Sequence, residues 1–389
     1  METIFKKAME NTQAIGSRQE PASDSFGEAK ILVVGCGGAG NNTANRLAHI
    51  GVRGAELVAL NTDKQHLAGV KVDKKILIGY ELTKGLGAGG DPNIGEQSAI
   101  EAKPALKEIL ENADMVFVTG GLGGGTGTGA LPVVAEVAKS AGAVVVGAVT
   151  MPFKIERARI PKAKLALTKL RKSADSVVVV DNNKLLSFVP DLPMNEAFGV
   201  ADEVLARMVK GITETIATPS LVNLDFADVR SVMKEGAGRG IAMIGLGESD
   251  TRNRAEEAVR HALDNPLLEV DYRGAIGALV HITGGDDLSL AEANTIGEIA
   301  TDYLSADANV IWGARIDPDF NGRIQVMVIM TGVTSPDILG PDDIHIPKRM
   351  IGQKVSIPTY QSRPPQARAS SPEKRPEGLM ADLGIDYII

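Results

Sequence analysis

The 389-residue sequence has few aromatic residues, 4% in all, and a single cysteine, Cys36. A nucleic-acid surface needs aromatic stacking platforms or basic patches, whereas this chain carries a net charge of −8. One cysteine cannot build a disulfide framework or a cysteine zinc site. We therefore expect no nucleic-acid partner, and we predict that Cys36 is a small buried residue in a reducing compartment.

Long apolar runs are absent too. Residues 1–16 lack the apolar core of a signal peptide, and the most apolar run, 141–153, is too short to span a bilayer. The chain also lacks G-x-x-x-x-G-K-[ST], the phosphate loop of P-loop NTPases, and their Asn-Lys-x-Asp guanine reader. These absences predict a cytoplasmic protein without direct membrane insertion, and any nucleoside triphosphate would be bound in another way.

What the sequence does contain is an alternation of short β-branched runs and helix-length segments. Runs that are apolar on both faces and separated by helices predict a parallel sheet covered by helices. Six such runs lie at 31–35, 56–61, 74–79, 115–120, 144–152 and 176–182. We predict a Rossmann-like α/β domain over 28–194, preceded by a flexible arm at 1–27.

One long helix, 195–218, is predicted to follow this domain, with Asn195 as its N-cap. Its apolar residues recur at three- and four-residue steps, and they are Ala201, Val204, Leu205, Met208, Ile212 and Ile216. Strand-like runs then resume, which predicts a second, smaller α/β domain over 219–334. Residues 335–380 are rich in Pro, Ser and basic residues and are predicted to be a disordered linker, whereas 381–389 regain apolar residues.

The segment Gly120–Gly129 is almost entirely glycine and threonine and stands between a buried-type strand and a helix. Glycines there let backbone N–H groups approach an anion, and the next helix points its positive end at it. A second loop, 35–42, has the spacing G-x-G-x-x-G in the same setting, and a third, 84–92, follows the third strand. The second loop alone fits an NAD-dependent dehydrogenase. Three glycine loops around one ligand favour a phosphate-rich nucleotide.

These loops carry a resemblance to a known family. The stretch GGGTGTG after a strand resembles the signature of the tubulin/FtsZ superfamily. Five further stretches resemble its prokaryotic cell-division members in the expected order, and they are GCGGAGNN (35–42), NTD (61–63), GLGAGGDP (85–92), MPFKIE (151–156) and LVNLDFADV (221–229). The resemblance covers about 28–334, and the ending GIDYII is similar to archaeal forms.

The resemblance implies a GTP-binding domain over 28–194 and a C-terminal activation domain over 219–334. The residues that it implies around the phosphates and ribose are Gly37, Gly38, Ala39, Gly40, Asn41, Asn42, Asp63, Gly123, Gly124, Gly125, Thr126, Gly127, Thr128 and Gly129. Ala88 and Gly89 would close over the γ-phosphate. Glu156 would bind the ribose hydroxyls, and because Ile160 replaces an arginine that many members carry, Arg159 is the residue expected to reach the site.

Phe198 and Asp202 resemble the guanine readers of the family. They lie four residues apart on one helix face, where a phenylalanine can stack on a purine and a carboxylate can accept from N1–H and the 2-amino group. Without the resemblance, the alternative is a core aromatic and an acid that stabilises the first turn of the helix.

The segment 221–233 is implied to supply catalysis. Asp225 and Asp228 would polarise the attacking water and Asn223 would help to place it, on the nucleotide of a neighbouring subunit. The sequence alone equally predicts a capping box, with Asp225 as N-cap. Carboxylates beside a triphosphate repel it unless a cation intervenes, so Mg²⁺ is expected with GTP or GDP, without a dedicated protein metal site.

The implied function is a GTPase that is activated by assembly into head-to-tail filaments at the cell division site. Residues 381–389 would dock a membrane-tethering adaptor. Two alternatives remain at this point, the dehydrogenase and a scaffold that binds GTP without hydrolysing it. The retention of both Asp225 and Asp228 argues against the scaffold.

Overall fold

The computed structural model describes residues 29–188, 191–218, 220–222, 224–235, 241–264, 270–302, 304–333 and 385–387. Three predictions fall outside these residues: the arm at 1–27, the linker at 335–380 and the role of Asn223. Among the described residues, no helix combines the length and the apolar composition needed to cross a membrane.

A seven-stranded parallel sheet forms the first domain, with the strand order β11-β3-β2-β1-β4-β5-β6. Its strands are β1 (Ile31–Cys36), β2 (Ala55–Asn61), β3 (Lys74–Leu77), β4 (Met115–Gly121), β5 (Val144–Met151), β6 (Ser176–Asp181) and β11 (Ile385–Tyr387). Strands β1, β4 and β5 are buried along nearly their whole length, as strands covered on both faces must be. The predicted parallel α/β domain is confirmed.

Helices connect these strands as crossovers. In chain order they are α1 (Gly37–Ile50), α2 (Lys64–Ala68), α3 (Tyr80–Thr83), α4 (Pro92–Glu101), α5 (Lys103–Leu110), α6 (Thr126–Ser140), α7 (Arg159–Ser173) and α8 (Asn182–Phe188). The β1–α1 and β4–α6 connections begin within the glycine-rich segments, so the two loops open side by side at the carboxyl edge of the sheet.

A 24-residue helix, α9 (Met194–Ala217), leads to the second domain. That domain has a four-stranded sheet in the order β7-β10-β8-β9, in which β10 is antiparallel to both its neighbours and β8 is parallel to β9. Its elements are α10 (Phe226–Glu235), β7 (Ala242–Ser249), α11 (Arg254–Leu263), β8 (Gly277–Gly284), α12 (Leu290–Thr301), β9 (Asn309–Ile316) and β10 (Ile324–Thr331).

Helix α9 joins the two domains through a shared apolar core. Leu205 and Ile212 of α9 belong to the same buried cluster as Phe117 of the first sheet and Val328 of the second. Because each of these four side chains is no more than 1% exposed, the helix is held from both sides and keeps the domains in a fixed relation. The predicted central helix and second domain are therefore present as expected.

Two details differ from the sequence predictions. Asn195 is not the N-cap of α9, because the carbonyl of Pro193 already accepts from the N–H groups of Glu196 and Ala197, both at 2.9 Å. The tail was predicted to lie outside the fold, yet Ile385–Tyr387 form strand β11 beside β3. An edge strand with open backbone groups accepts such a segment readily.

Candidate nucleotide-binding site

A cavity of about 820 Å³ opens at the carboxyl ends of the parallel strands. This edge is where ligands bind in open α/β sheets, because loops and helix N-termini from several strands converge there. Fourteen of the residues predicted to bind nucleotide line it, and they are Gly38, Ala39, Asn42, Asp63, Ala88, Gly89, Gly124, Gly125, Thr126, Gly127, Glu156, Arg159, Phe198 and Asp202.

The other six predicted residues stand behind the cavity wall, and they are Gly37, Gly40, Asn41, Gly123, Thr128 and Gly129. A Cβ on Gly37 would lie 2.7 Å from the backbone nitrogen of Gly127, so the first and second glycine loops touch there. A Cβ on Gly40 would collide with the carbonyl of Thr119, which is how α1 packs closely on β4. These two glycines shape the loops from the side that faces the core.

The amide side chain of Asn41 is fully buried and ties two loops together. In the orientation that satisfies its neighbours, it donates to the carbonyl of Gly35 at 2.7 Å and accepts from the side chain of Asn61 at 3.0 Å. Thr128 plays a similar part in the other loop, where its hydroxyl accepts from the backbone N–H of Gly123 at 2.8 Å. Both side chains hold loop backbone in place and leave its outer face to a ligand.

The third loop, 84–92, closes one end of the cavity. Gly89 has a φ of +57° and open space around it, which lets its backbone face the cavity. The loop is fastened on both sides, since Gly87 donates to the carbonyl of Thr62 at 3.1 Å and the ammonium group of Lys162 donates to the carbonyl of Gly90 at 2.8 Å. Because these hydrogen bonds already hold the loop in place, binding a ligand through its N–H groups would cost little conformational entropy.

The opposite end of the cavity is formed by the start of α9. Phe198 is 38% exposed, lines the cavity and meets Phe153 in a T-shaped contact with ring centroids 5.5 Å apart. Asp202 accepts a hydrogen bond from Thr43 at 3.0 Å. Burial raises the pKa of Asp202 to about 6, against the opposing effects of Thr43 and the nearby charge of Arg46. A carboxyl with this pKa changes its charge near neutral pH.

Glu156 and Arg159 form an ion pair at the rim of the cavity, with Nη1 and Oε2 2.5 Å apart. The other oxygen of Glu156 accepts from the backbone N–H of Phe153 at 3.0 Å, which holds the carboxylate against the wall. Ile160 does not line the cavity and Arg159 does, so the arginine one residue earlier is the one at the site.

Several residues that line the cavity were not predicted from the sequence. Thr150 lies at the carboxyl end of β5, Asn182 directly follows β6, and His66 lies on α2. Asn182 has a buried side-chain oxygen without a hydrogen-bond partner, and His66 has a buried Nδ1 in the same condition. The carboxyl ends of the strands were the signal that could have found Thr150 and Asn182, whereas no spacing pattern singles out His66.

Asp63 stands between the phosphate loops and the start of α2. One of its carboxylate oxygens caps that helix, accepting from the N–H groups of Gln65 at 2.9 Å and His66 at 3.1 Å. The described residues hold no group of three or more His, Cys, Asp or Glu side chains that could bind a metal alone. A magnesium ion here would therefore be bound by Asp63 together with the phosphates of a nucleotide, because Mg²⁺ is commonly held by one or two carboxylates and substrate phosphates.

The acidic pair Asp225 and Asp228 lies far from this cavity. Asp228 donates its N–H to Asp225 at 2.8 Å, and Asp225 donates its N–H to Asp228 at 3.3 Å, so the predicted capping box at the start of α10 is confirmed. Both residues follow the end of α9, and Val222 bridges to Ala314 of β9. From Asp202 to Ala217, α9 runs about 22 Å, since a helix rises about 1.5 Å per residue.

This fold and cavity define a class, a nucleotide-binding protein that holds phosphates with several glycine loops and not with a P-loop. Comparison with known proteins gives its family. Residues 30–190 match the model described as "Tubulin/FtsZ family, GTPase domain", and residues 240–334 match "FtsZ family, C-terminal domain". The chain belongs to the FtsZ family.

Relatives of known sequence and structure agree. Cell division protein FtsZ 2 of Methanocaldococcus jannaschii is 59% identical over 91% of this chain and 92% of its own length. The empty FtsZ dimer of M. jannaschii is 48% identical with a TM-score of 0.72, covering 84% of this chain and 92% of that one. The GTPγS-bound protofilament of CetZ2 from Haloferax volcanii has 25% identity and a TM-score of 0.68, covering 78% and 93%.

The family assignment settles the nature of the protein in outline. It is a GTPase-domain protein of the cell-division FtsZ type, with GTP and GDP as its nucleotides. The alternative of an NAD-dependent dehydrogenase is wrong, because the G-x-G-x-x-G loop is one of three loops that a tubulin-like domain places around one cavity.

Proposed function

We propose that the chain assembles head to tail into filaments at the cell division site and hydrolyses GTP where two subunits meet. The observation that carries this proposal is the separation between the cavity and Asp225. The cavity lies at the start of α9, whereas the acidic pair lies beyond its end. Because α9 is packed into the core, it cannot bring the cavity and the acidic pair together within one subunit. We therefore infer that a second subunit supplies Asp225 and Asp228.

Each part of the cavity suits one part of GTP. Gly38, Ala39, Gly124 and Gly125 line the cavity at the N-termini of α1 and α6, where their backbone N–H groups would donate to the phosphates. Thr126 is fixed by a 2.7 Å hydrogen bond between its hydroxyl and that of Thr62. This arrangement binds the phosphates through the backbone, which explains why the chain needs no P-loop lysine.

The base end suits guanine. Phe198 offers a ring face, ionised Asp202 accepts from N1–H and the 2-amino group, and the unpartnered oxygen of Asn182 offers a further acceptor. Adenine presents no such pair of donors on that edge. Glu156, with Arg159 beside it, is placed to accept from the ribose hydroxyls.

Magnesium, with Asp63 as its protein ligand, would neutralise phosphate charge. The hydrolytic step itself is assigned to the neighbouring subunit's Asp225 and Asp228, which would accept hydrogen bonds from the attacking water and orient it toward the γ-phosphate. Each carboxylate uses one oxygen in the capping box, so its second oxygen is left for the water. Because the capping hydrogen bonds fix both side chains, the two carboxylates would orient the water without losing further conformational freedom.

Solved relatives support assembly. They include a dimer and a protofilament, and a head-to-tail contact does not close on itself but extends into a filament. A membrane-tethering adaptor on residues 381–389 would then attach the filament to the membrane. The chain supplies no spanning helix within its described residues.

The test is turnover per subunit as a function of protein concentration, with GTP and with ATP. We expect turnover with GTP to rise steeply above a threshold concentration and then to plateau, because every added contact completes a site. Turnover with ATP should stay near background. Specific activity that is constant on dilution would contradict the shared site, and GTP binding without any turnover would favour the scaffold alternative.

A further inference from the structure

The outer edge of β3 carries an unexpected strand. Strand β11 pairs with β3 in parallel, with Ile385 opposite Lys75, Asp386 opposite Ile76 and Tyr387 opposite Leu77. It comes from the last five residues of the chain, and the 51 residues 334–384 separate it from the second domain. An element so far away in sequence has reached the nucleotide-binding domain and added a seventh strand to its sheet.

The side chains of β3 leave this edge open to a strand. Lysines at an edge usually prevent pairing with another chain. Here the ammonium group of Lys74 is 2.7 Å from Glu56, and that of Lys75 donates to the carbonyl of Ala68 at 3.4 Å, so both are engaged with their own domain. Ile76 and Leu77 are buried, which anchors β3 in the sheet.

We propose that the edge of β3 is the docking site of the chain's own segment 385–387, and that this docking withholds the tail from its partner until β11 leaves the sheet. Strand addition of this kind binds through main-chain hydrogen bonds. The same backbone groups cannot pair with β3 and with a partner at once. The partner part of this inference rests on the proposed function, whereas the docking itself does not.

The length of the linker sets how firmly the strand is held. A flexible chain of 51 residues, the number between the second domain and β11, has a root-mean-square span of roughly 36–43 Å. It supplies the tail at an effective concentration on the order of millimolar. A strand of three residues that binds with a dissociation constant near that value is docked about half of the time. Such docking is reversible and independent of protein concentration.

The docked strand does not cover the nucleotide. Strand β3 leads through α3 to the third loop, and the residues of that loop that line the cavity begin at Leu86. None of the described tail residues lines the cavity. Docking and release should therefore change the availability of the tail and leave GTP turnover as it was.

The test is a pair of cysteine variants of the full-length chain. Lys75→Cys with Ile385→Cys places two thiols at register partners, and Lys75→Cys with Asp386→Cys is a matched control that is one position out of register. The native Cys36 is fully buried, and burial raises its pKa to about 12, so it does not compete. Under mild oxidation the in-register pair should form an intrachain disulfide about tenfold faster than the control, because disulfides demand close Cα atoms.

A synthetic peptide of residues 379–389 at millimolar concentration should slow this disulfide at least about twofold by occupying β3, while a scrambled peptide should not. GTP turnover of the reduced variants confirms that they are folded. Equal rates for the two pairs, or no effect of the peptide, would overturn the docking site. Disulfide-linked dimers would show that a neighbour's tail occupies the edge and would overturn docking on the same chain. Any of these results would leave the concentration dependence of turnover untouched.

Discussion

Asp202 is the residue to which we assign the nucleotide preference in the proposed site. Its carboxyl is largely buried, and the resulting loss of hydration raises its pKa to about 6 from the ordinary value of 3.8. Only the ionised form accepts both hydrogen bonds from guanine. Because the folded protein holds the proton more tightly, the acceptor is present above pH 6 and is lost as the pH falls through that value.

We therefore expect the GTP affinity of the natural protein to fall about tenfold between pH 7 and pH 5, since a group with this pKa goes from about 90% to about 10% ionised. Asp202→Asn keeps the size of the side chain and removes the titration. Calorimetry on both proteins measures the difference, and the variant cancels the titration of the nucleotide's own phosphates. Equal pH slopes would contradict the role of Asp202.

A second substitution tests the base preference directly. Asp202→Ala should weaken GTP binding by about 1–3 kcal/mol, which is the range for losing hydrogen bonds to a charged group, and should leave ATP binding unchanged. The ratio of the two affinities is the quantity to measure. An unchanged preference for GTP would rule out Asp202 as the guanine reader.

At the scale of single residues, sequence could identify the loops better than the individual contacts. The glycine spacing indicates that backbone lies against phosphate, but it does not say which glycines face the ligand and which, like Gly40, give room to a packed strand. That distinction depends on the tertiary contact with Thr119. The position of Asn182 directly after a predicted strand could have marked it as a site residue, but its buried, unpartnered oxygen is a property that only the folded protein has.

At the scale of elements, the glycine loops depend on close packing between helices. A Cβ on Gly129 of α6 would collide with the backbone of α4, at the carbonyl of Pro92 and the nitrogen of Glu96. These backbones cannot move without shifting the third loop, which leads directly into α4. The contact between α4 and α6 therefore supports two sides of the cavity at once.

Gly129→Ala should lower the free energy of unfolding by about 1–3 kcal/mol, the usual cost of overpacking. The matched control is Gly297→Ala, because Gly297 is also helical and a Cβ there would meet nothing within 4 Å. The control should be neutral or more stable by about 0.5–1 kcal/mol. Urea unfolding of both variants makes the comparison, and equal stabilities would show that α4 gives way freely.

The capping box at α10 makes the acidic pair testable without ambiguity. Asp225→Asn keeps a good N-cap and loses the charge, whereas Asp225→Ala loses both, at a cost of about 0.5–2 kcal/mol in stability. Both variants should bind GTP normally, hydrolyse it poorly and form long-lived filaments. Normal turnover in Asp225→Asn would assign the residue to capping alone.

Mixing subunits tests whether the site is shared. Gly124 faces open space, so Gly124→Asp should fold but repel the phosphates. Neither this variant nor Asp225→Ala should turn over GTP alone. A mixture should recover part of the activity, because one kind of contact pairs an intact cavity with an intact acidic pair. A mixture as inactive as its components would argue against catalysis between subunits.

At the scale of the whole molecule, elements with a long, regular hydrophobic pattern could be predicted from the sequence, whereas elements that depend on a single tertiary contact could not. The six parallel strands and α9 follow from long apolar runs and a sustained helical period. Strand β11 could not be predicted, because its three residues gain their strand conformation from pairing with the edge of β3 and not from their own sequence.

Deletion of residues 381–389 should leave GTP turnover and filament formation nearly unchanged. The melting temperature should shift by no more than about 2–4 °C, the shift that about 1 kcal/mol produces in a domain of this size. Recruitment to the division site should be lost, as microscopy of a fluorescent fusion would measure. A much larger fall in melting temperature would place the tail in the cooperative core.

In the proposed head-to-tail filament, the placement of the cavity and the acidic pair at opposite ends of α9 would give two unlike ends. One terminal subunit would show an open cavity that lacks its acids, and the other would show acids without a nucleotide to act on. Such a filament of n subunits would contain n − 1 complete sites. Nucleotide at the open end would exchange without being hydrolysed, so we expect that end to keep GTP longest and the two ends to gain and lose subunits at different rates.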